Sequence, residues 1–403
     1  MKGSGLSGAR LARMHDVMAG YVERGDVPGI VTLIARRGEV QADVIGRMAL
    51  NGGDPMRRDT IFRITSMTKP ITAAAAMILV EECKLRLDDP VERLVPELAD
   101  RRVLTALDGP IDQTVPAQRP ITLRDLLTFR LGLGIIFGTS DQYPILKAIE
   151  DLQLVGFGPP NQATPHSPDE WIRRLSTLPL MHQPGERWMY NTGSYVLGVL
   201  IARASGQPLE TFVRQRIFDP LGMKDTAFSV PAEKLHRLAT SYWYNEETGA
   251  LDFNDGAQDS QWSRPPAFPD GGAGLVSTAD DYLAFGQMLL NLGKYKDTRI
   301  LSRPSVETMI ADHLRPEHKA RSAFFPDYWD SRGWGFGLSV ITGRSDIAAT
   351  PGRFGWDGGY GTSWSSDPKE EMVAILMTQR AQFPLLSGVY LDFWTSVYQA
   401  IDD

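Results

Sequence analysis

Apolar residues recur at helical spacing over residues 6–22, and Gly25, Pro28 and Gly29 then break the pattern, which predicts a first helix ending there. Residues 30–36 and 40–45 are rich in β-branched and apolar side chains and are joined by Arg37-Gly38-Glu39, as in a hairpin. The Ala-rich run 71–83 predicts a helix that starts near Ser66. Pro70 fits there because the first four helical N–H groups have no intrahelical acceptor to lose. Thr122 caps a predicted helix over 121–131. Ser167-Pro168-Asp169-Glu170 reads as a capping box with proline at the first helical position. Further helices are predicted over 194–204, closed by Gly206, and over 209–217, before a turn at Pro220-Leu221-Gly222.

Between 228 and 274 periodicity fades and Pro, Gly, Asn and Asp accumulate, which predicts long connections. Ser277 then caps a helix running to Leu290. Segments 334–341, 361–366 and 372–378 read as strands, the last two joined across Asp367-Pro368, and 390–401 as a closing amphipathic helix. The order is αββ, then helices, then βββα. This predicts an α+β fold in which both chain ends build one antiparallel sheet flanked by helices, with a mostly helical second lobe. The expected division is 1–65 with 272–403 as the sheet domain and 66–271 as the helical domain, with the active site between them.

Composition narrows the class. The chain has 403 residues, 42% hydrophobic and 23% charged, which is ordinary globular usage and enough for about two or three domains. The formal net charge is −7 and no basic stretch is interleaved with aromatics, so nucleic acid is not an expected partner. The longest clean apolar run, 73–80, is far short of the roughly 18 residues that cross a bilayer, and residues 1–5 do not read as a secretory leader. The expectation is a cytoplasmic protein without a membrane partner. Cys83 is the sole cysteine, so no internal disulfide forms.

The six histidines form no HExxH pair, and CxxC, GxxxxGK[ST] and a strand-following GxGxxG are missing, so no metal or cofactor is expected. GxSxG is missing too, which leaves a serine hydrolase in need of a base other than histidine. Ser66-Met67-Thr68-Lys69 offers one. A serine at a helix start with lysine three residues on puts both heads on one face, beside N–H groups suited to an oxyanion. Roughly one SxxK match is expected by chance in such a chain. Ser366-Asp367-Pro368-Lys369 is a second match, in a predicted hairpin turn. The bland alternative makes Ser66 a helix cap beside a surface lysine. Two more segments carry chemistry-bearing residues: 184–195, with Tyr190, Asn191 and Thr192 before a helix start, and the glycine-dense 354–362, where backbone can approach a ligand closely.

In this order, the three segments resemble the serine β-lactamase and penicillin-binding-protein superfamily, in its class C-like branch and closest to the family VIII carboxylesterases. The resemblance runs from about Val27 to Met377 and includes Asp59-Thr60-Ile61-Phe62, Ile121-Thr122-Leu123-Arg124-Asp125-Leu126-Leu127-Thr128 and Pro220-Leu221-Gly222-Met223. It implies a β-lactamase/transpeptidase-like fold, Ser66 as the acylated nucleophile, Lys69 as its charged partner and Tyr190 as general base. The family's Tyr-x-Asn element has Thr192 in its third place here, with Asn191 between. Trp356 stands where a Lys or His usually precedes two small residues, as in the esterase branch, and an extra Asp357 follows it. Ser66 supplies one oxyanion N–H. Gly359 or Tyr360 supplies the second, with Gly359 favoured. Asn191, Thr192, Trp356, Asp357 and Tyr360 are the expected substrate-binding residues.

An ammonium about 4 Å away at an effective dielectric near 20 supplies about 4 kcal/mol, enough to bring a phenol from about 10 to about 7, so Lys69⁺ is expected to make Tyr190 a competent base. Trp356, Tyr360 and Trp364, with Phe324-Phe325, Tyr328-Trp329 and Ile135-Ile136-Phe137, are the expected pocket walls, and Arg353 the one cation that partly replaces the missing lysine. The expected substrate is a small carboxylic ester. The alternatives are β-lactam hydrolysis, D-amino-acid amide or peptide hydrolysis, acyl transfer, and a non-catalytic ligand-binding member of the fold.

Overall fold

The computed structural model describes residues 3–50, 52–154, 164–322, 324–382 and 386–403. Helix α1 (Gly8–Glu23) leads into strands β1 (Gly29–Arg36) and β2 (Glu39–Gly46), which pair through the predicted hairpin. The helical part of the chain includes α2 (Thr68–Glu81) and α3 (Thr192–Ser205), and α4 (Ala279–Leu290) returns the chain to the sheet. Strands β3 (Arg332–Trp334), β4 (Ser339–Ile341), β5 (Phe354–Gly358), β6 (Thr362–Asp367) and β7 (Met372–Thr378) follow, and helix α5 (Gly388–Gln399) closes the fold. The seven strands form one antiparallel sheet in the order β3-β4-β5-β6-β7-β1-β2, so β1 from one chain end is hydrogen-bonded to β7 from the other. This is the mixed fold, with its sheet drawn from both ends, that the element order predicts.

Alternation along the central strands explains why both faces are covered. Ile30, Ile34, Met372, Ala374 and Leu376 pack under α1 and α5 with Met14, Met18, Phe393, Trp394 and Val397. Their neighbours Val31, Leu33, Val373, Ile375 and Met377 face the other way, into the main core with Tyr282, Phe285 and Met288 of α4. All eight residues of β1 are buried, while β2 lies at the sheet edge with its first half exposed. Helix α2 is buried from Thr68 to Leu79, apolar all round from Ala73 to Leu79, with the polar Thr68, Lys69 and Thr72 in its first turns. Among the described residues no helix is long and apolar enough to cross a membrane.

Several local expectations need correction. The predicted strand 334–341 is two short strands, β3 and β4, paired across a turn in which the Gly335 N–H donates to the Leu338 carbonyl. The segment 354–358 is itself a strand. Strands Ser241–Tyr244 and Leu251–Asp255 pair inside the stretch read as connection. Thr278 caps α4, its side chain accepting from the Asp281 N–H, one residue later than predicted. Ser167 accepts from the Glu170 N–H, but the Glu170 carboxylate pairs with Arg173 and Arg174 instead of completing a capping box. The helix capped by Thr122 is only Leu123–Leu127.

Candidate active site

Ser66 sits in a single 3₁₀ turn, Thr65–Met67, that runs directly into α2, with Pro70 as the third residue of that helix. Thr65 has φ +39°, a left-handed conformation that is costly for a β-branched residue, and its hydroxyl is buried without a partner. The turn is held against the end of β5: a Cβ on Gly358 would lie 2.4 Å from the Ile64 carbonyl oxygen and 2.9 Å from Thr65 Oγ1. Only a glycine lets the strand come this close.

Lys69 is completely buried, which disposes of the surface-lysine alternative. Its Nζ lies 2.9 Å from Ser66 Oγ and donates to the Gly272 carbonyl at 2.7 Å. It also stands 4.6 Å from the centre of the Tyr190 ring. Tyr190 is fixed from both sides. The Met189 N–H donates to the Phe129 carbonyl at 2.8 Å, and the Ile135 N–H donates to the carbonyl of Tyr190 itself. The Tyr190 hydroxyl accepts from Trp356 Nε1 at 2.9 Å and is hydrogen-bonded to Ser66. Serine, lysine and phenol therefore converge as expected, and Trp356 joins them.

The electrostatics differ from the expectation. Burial pushes the Lys69 ammonium down to about 7, opposed by the charge of Asp270. Burial also pushes the Tyr190 phenol well above its ordinary value, although the bonds from Ser66 and Trp356 act in the opposite direction. One ammonium does not offset the cost of enclosing a phenolate among aromatic rings. At rest the pair holds a neutral or partly charged amine and a protonated phenol.

Aromatic rings line the site. Phe129, Trp188, Trp334, Trp356, Tyr328, Phe324, Phe325 and Trp329 cluster around Tyr190, with Phe324 and Trp356 each 5.6 Å from it between ring centres. Other expected members lie elsewhere. Strand alternation turns Asp357 to the opposite face of the sheet, where it accepts from Ser363 Oγ at 2.6 Å and from the Tyr390 hydroxyl at 3.3 Å under α5. Arg353 lies on that face too, 3.8 Å from the Trp394 ring, so it does not replace the missing lysine. Tyr360 packs on Trp243 and Trp262, and Trp364 on Tyr282, as core residues. Thr192 is the buried first residue of α3. Asn191 donates to the Tyr195 hydroxyl at 3.3 Å, while its own side-chain oxygen is buried without a partner. Gly359 follows β5 beside open space, with nothing within 4 Å of where a Cβ would stand. Asp270 is the residue that sequence reasoning missed. The only signal for it was an acidic residue before the paired glycines Gly271-Gly272, inside a stretch read as connection.

The beta-lactamase family model matches residues 14–388. The chain belongs to the beta-lactamase family. It is 32% identical over 394 residues to esterase EstB of Burkholderia gladioli, covering 92% of this chain and 90% of that one. It is 41% identical over 363 residues to protein Rv1367c of Mycobacterium tuberculosis, covering 89% and 87%. The solved structure of EstCE1, described as a hydrolase with promiscuous acyltransferase activity, superposes with a TM-score of 0.78 at 27% identity, over 97% of this chain and 99% of that one. The beta-lactamase-family member described here is a serine hydrolase.

Proposed function

We propose that this hydrolase is a carboxylesterase that cleaves small, largely apolar esters through an acyl-enzyme on Ser66. The observation that carries the reading is the hydrogen bond from the Trp356 indole to the Tyr190 hydroxyl. An uncharged donor, backed by an aromatic wall, occupies the place where a cation would meet the carboxylate of a β-lactam, and Arg353 is on the far side of the sheet.

In the acylation step Ser66 Oγ bonds to the ester carbonyl carbon and its proton passes to the free amine of Lys69, 2.9 Å away. The carbonyl oxygen takes up negative charge facing the Ser66 and Gly359 N–H groups. The carbon–oxygen bond to the alcohol then breaks, and the leaving oxygen takes the Tyr190 proton, which Lys69 returns to the phenolate. Water repeats the sequence on the acyl-enzyme and releases the acid and free Ser66. Tyr190 is thus a proton relay paired with the free amine of Lys69, in place of the general base supported by Lys69⁺ expected from the resemblance. The identity with EstB supports the ester preference.

Rates on short p-nitrophenyl esters and on a chromogenic cephalosporin, with Ser66→Ala as control, test the reading. Faster ester cleavage that falls at least about 10³-fold in Ser66→Ala is expected; faster cephalosporin cleavage contradicts it. Acyl transfer is the second reading, favoured by the wall of rings around Tyr190, which disfavours water relative to an apolar alcohol. Added alcohol would then yield a new ester at the expense of free acid.

A further inference from the structure

Beneath the proposed nucleophile the loop 270–274 is wedged between α2 and α3. The Thr72 hydroxyl donates to the Gly271 carbonyl at 2.7 Å and the Leu275 N–H donates to Thr68 Oγ1 at 3.1 Å. A Cβ on Gly271 would lie 2.7 Å from the Ser194 carbonyl oxygen, and one on Gly272 would lie 2.4 Å from the Tyr195 ring. The loop closes around Asp270, which is 3% exposed. Its Oδ1 accepts from the Gly272 N–H at 2.6 Å and from the Ala273 N–H at 3.0 Å, and the Tyr195 hydroxyl is a further hydrogen-bond partner. Tyr195 in turn accepts from Asn191, the residue after Tyr190. The carboxylate therefore sits in a built nest of donors, and the residue it shapes most tightly, Gly272, places its carbonyl on Lys69 Nζ.

We infer that Asp270 is a positioning residue for this hydrolase: it never touches substrate, it fixes the Gly272 carbonyl on Lys69, and its buried negative charge governs how readily Lys69 releases and takes up the proton of Ser66. This rests on the reading of Ser66 and Lys69 given above. The groups facing Lys69 are Ser66 on its own turn, Tyr190 from the segment entering α3, and Asp270; Tyr195 reaches it only through Asp270, and the Tyr282 hydroxyl of α4 is spent on the Met67 carbonyl. The 335–338 turn, which also abuts Lys69, presents glycine backbone there. Asp270 is the charged one among them, and its charge holds the ammonium form up against burial. Asparagine at 270 keeps an oxygen for the two N–H groups and removes the charge, which separates loop shape from electrostatics.

The experiment follows the rate at which a fluorophosphonate labels Ser66 as a function of pH, in the intact protein and in Asp270→Asn. Labelling reports the nucleophile and needs no knowledge of the natural ester. Without Asp270's charge the free amine persists to lower pH, so the acid limb of the profile moves toward acid by about one pH unit. The labelling rate near pH 6.5 rises severalfold relative to the plateau, and the difference narrows below about pH 6, where burial leads the Asp270 carboxyl itself to take up a proton. An unmoved limb, or one displaced toward alkali, overturns the inference. If Asp270→Asn does not fold, Tyr195→Phe takes its place. It keeps the ring packing on Trp171 and Phe268 and removes the hydroxyl that stabilises the carboxylate, so a smaller displacement of the same sign is expected and an unmoved limb again overturns the inference. Failure of the parent reading looks different: the unaltered protein itself takes no label on Ser66.

Discussion

A lysine that is 0% exposed costs stability whenever it is charged, and Lys69 is placed this way, donating a hydrogen bond to the hydroxyl whose proton it is proposed to take. With its folded pKa at about 7 and the unfolded value near 10.4, the unfolded chain binds the additional proton between those limits. The Lys69 contribution to stability therefore rises as pH climbs from about 7 toward 10. Lys69→Met is expected to be more stable than the parent at pH 7 by at least about 1 kcal/mol in chemical denaturation, while losing hydrolysis; a destabilised variant contradicts this. For activity, the proposed mechanism requires the free amine. The kcat/KM profile on a p-nitrophenyl ester is expected to rise with pH through about 7. Trp356→Phe keeps an aromatic ring beside Trp334 and deletes the donor to Tyr190. Turnover is expected to fall roughly tenfold with the melting temperature little changed.

At the level of elements, the position of Ser66 depends on a strand end pressed against a strained turn. Gly358→Ala forces β5 away from Ile64 and Thr65. Both the melting temperature and the rate of Ser66 labelling are expected to drop, the latter more than tenfold, and an alanine variant with parental labelling would show that the contact is slack. The sheet was readable because β1 and β7 carry dense apolar or β-branched runs bounded by clear turns. Strands β3 and β4 merged in the reading, since each has three residues and the turn between them, Gly335-Phe336-Gly337-Leu338, continues the apolar pattern. At the site, Ser66, Lys69 and Tyr190 were legible from spacing and resemblance. Asp357 was misplaced because nothing in a glycine-rich run says which parity faces the nucleophile until the register, Trp356 opposite Trp364, is known. Asp270 was hard to read because its setting comes from the N–H groups it accepts from, two and three residues on at Gly272 and Ala273, within a loop that becomes visible only once it is packed between α2 and α3.

Over the whole molecule the two chain ends share one sheet and are also tied by charge. Arg36 on β1 is 1% exposed and donates to the carbonyls of Ser4 and Gly5, while its guanidinium also pairs with Glu370 and Asp403. The Asp402 N–H donates to the Gly5 carbonyl at 3.0 Å, completing the seam. Asp403→Ala leaves a buried guanidinium short of one partner, and a loss of about 1–2 kcal/mol in denaturant unfolding is expected with labelling of Ser66 unchanged at 25 °C. An unchanged midpoint would show that Glu370 and the carbonyls of Ser4 and Gly5 suffice for Arg36. The seam lies on the side of the sheet away from Ser66, so stability and chemistry are separable here. The most direct check on the chemistry itself is peptide-resolved mass spectrometry after treatment with a fluorophosphonate. A single adduct on the peptide containing Ser66, absent from Ser66→Ala, is the predicted result; folded protein that carries the adduct elsewhere, or none, would contradict it.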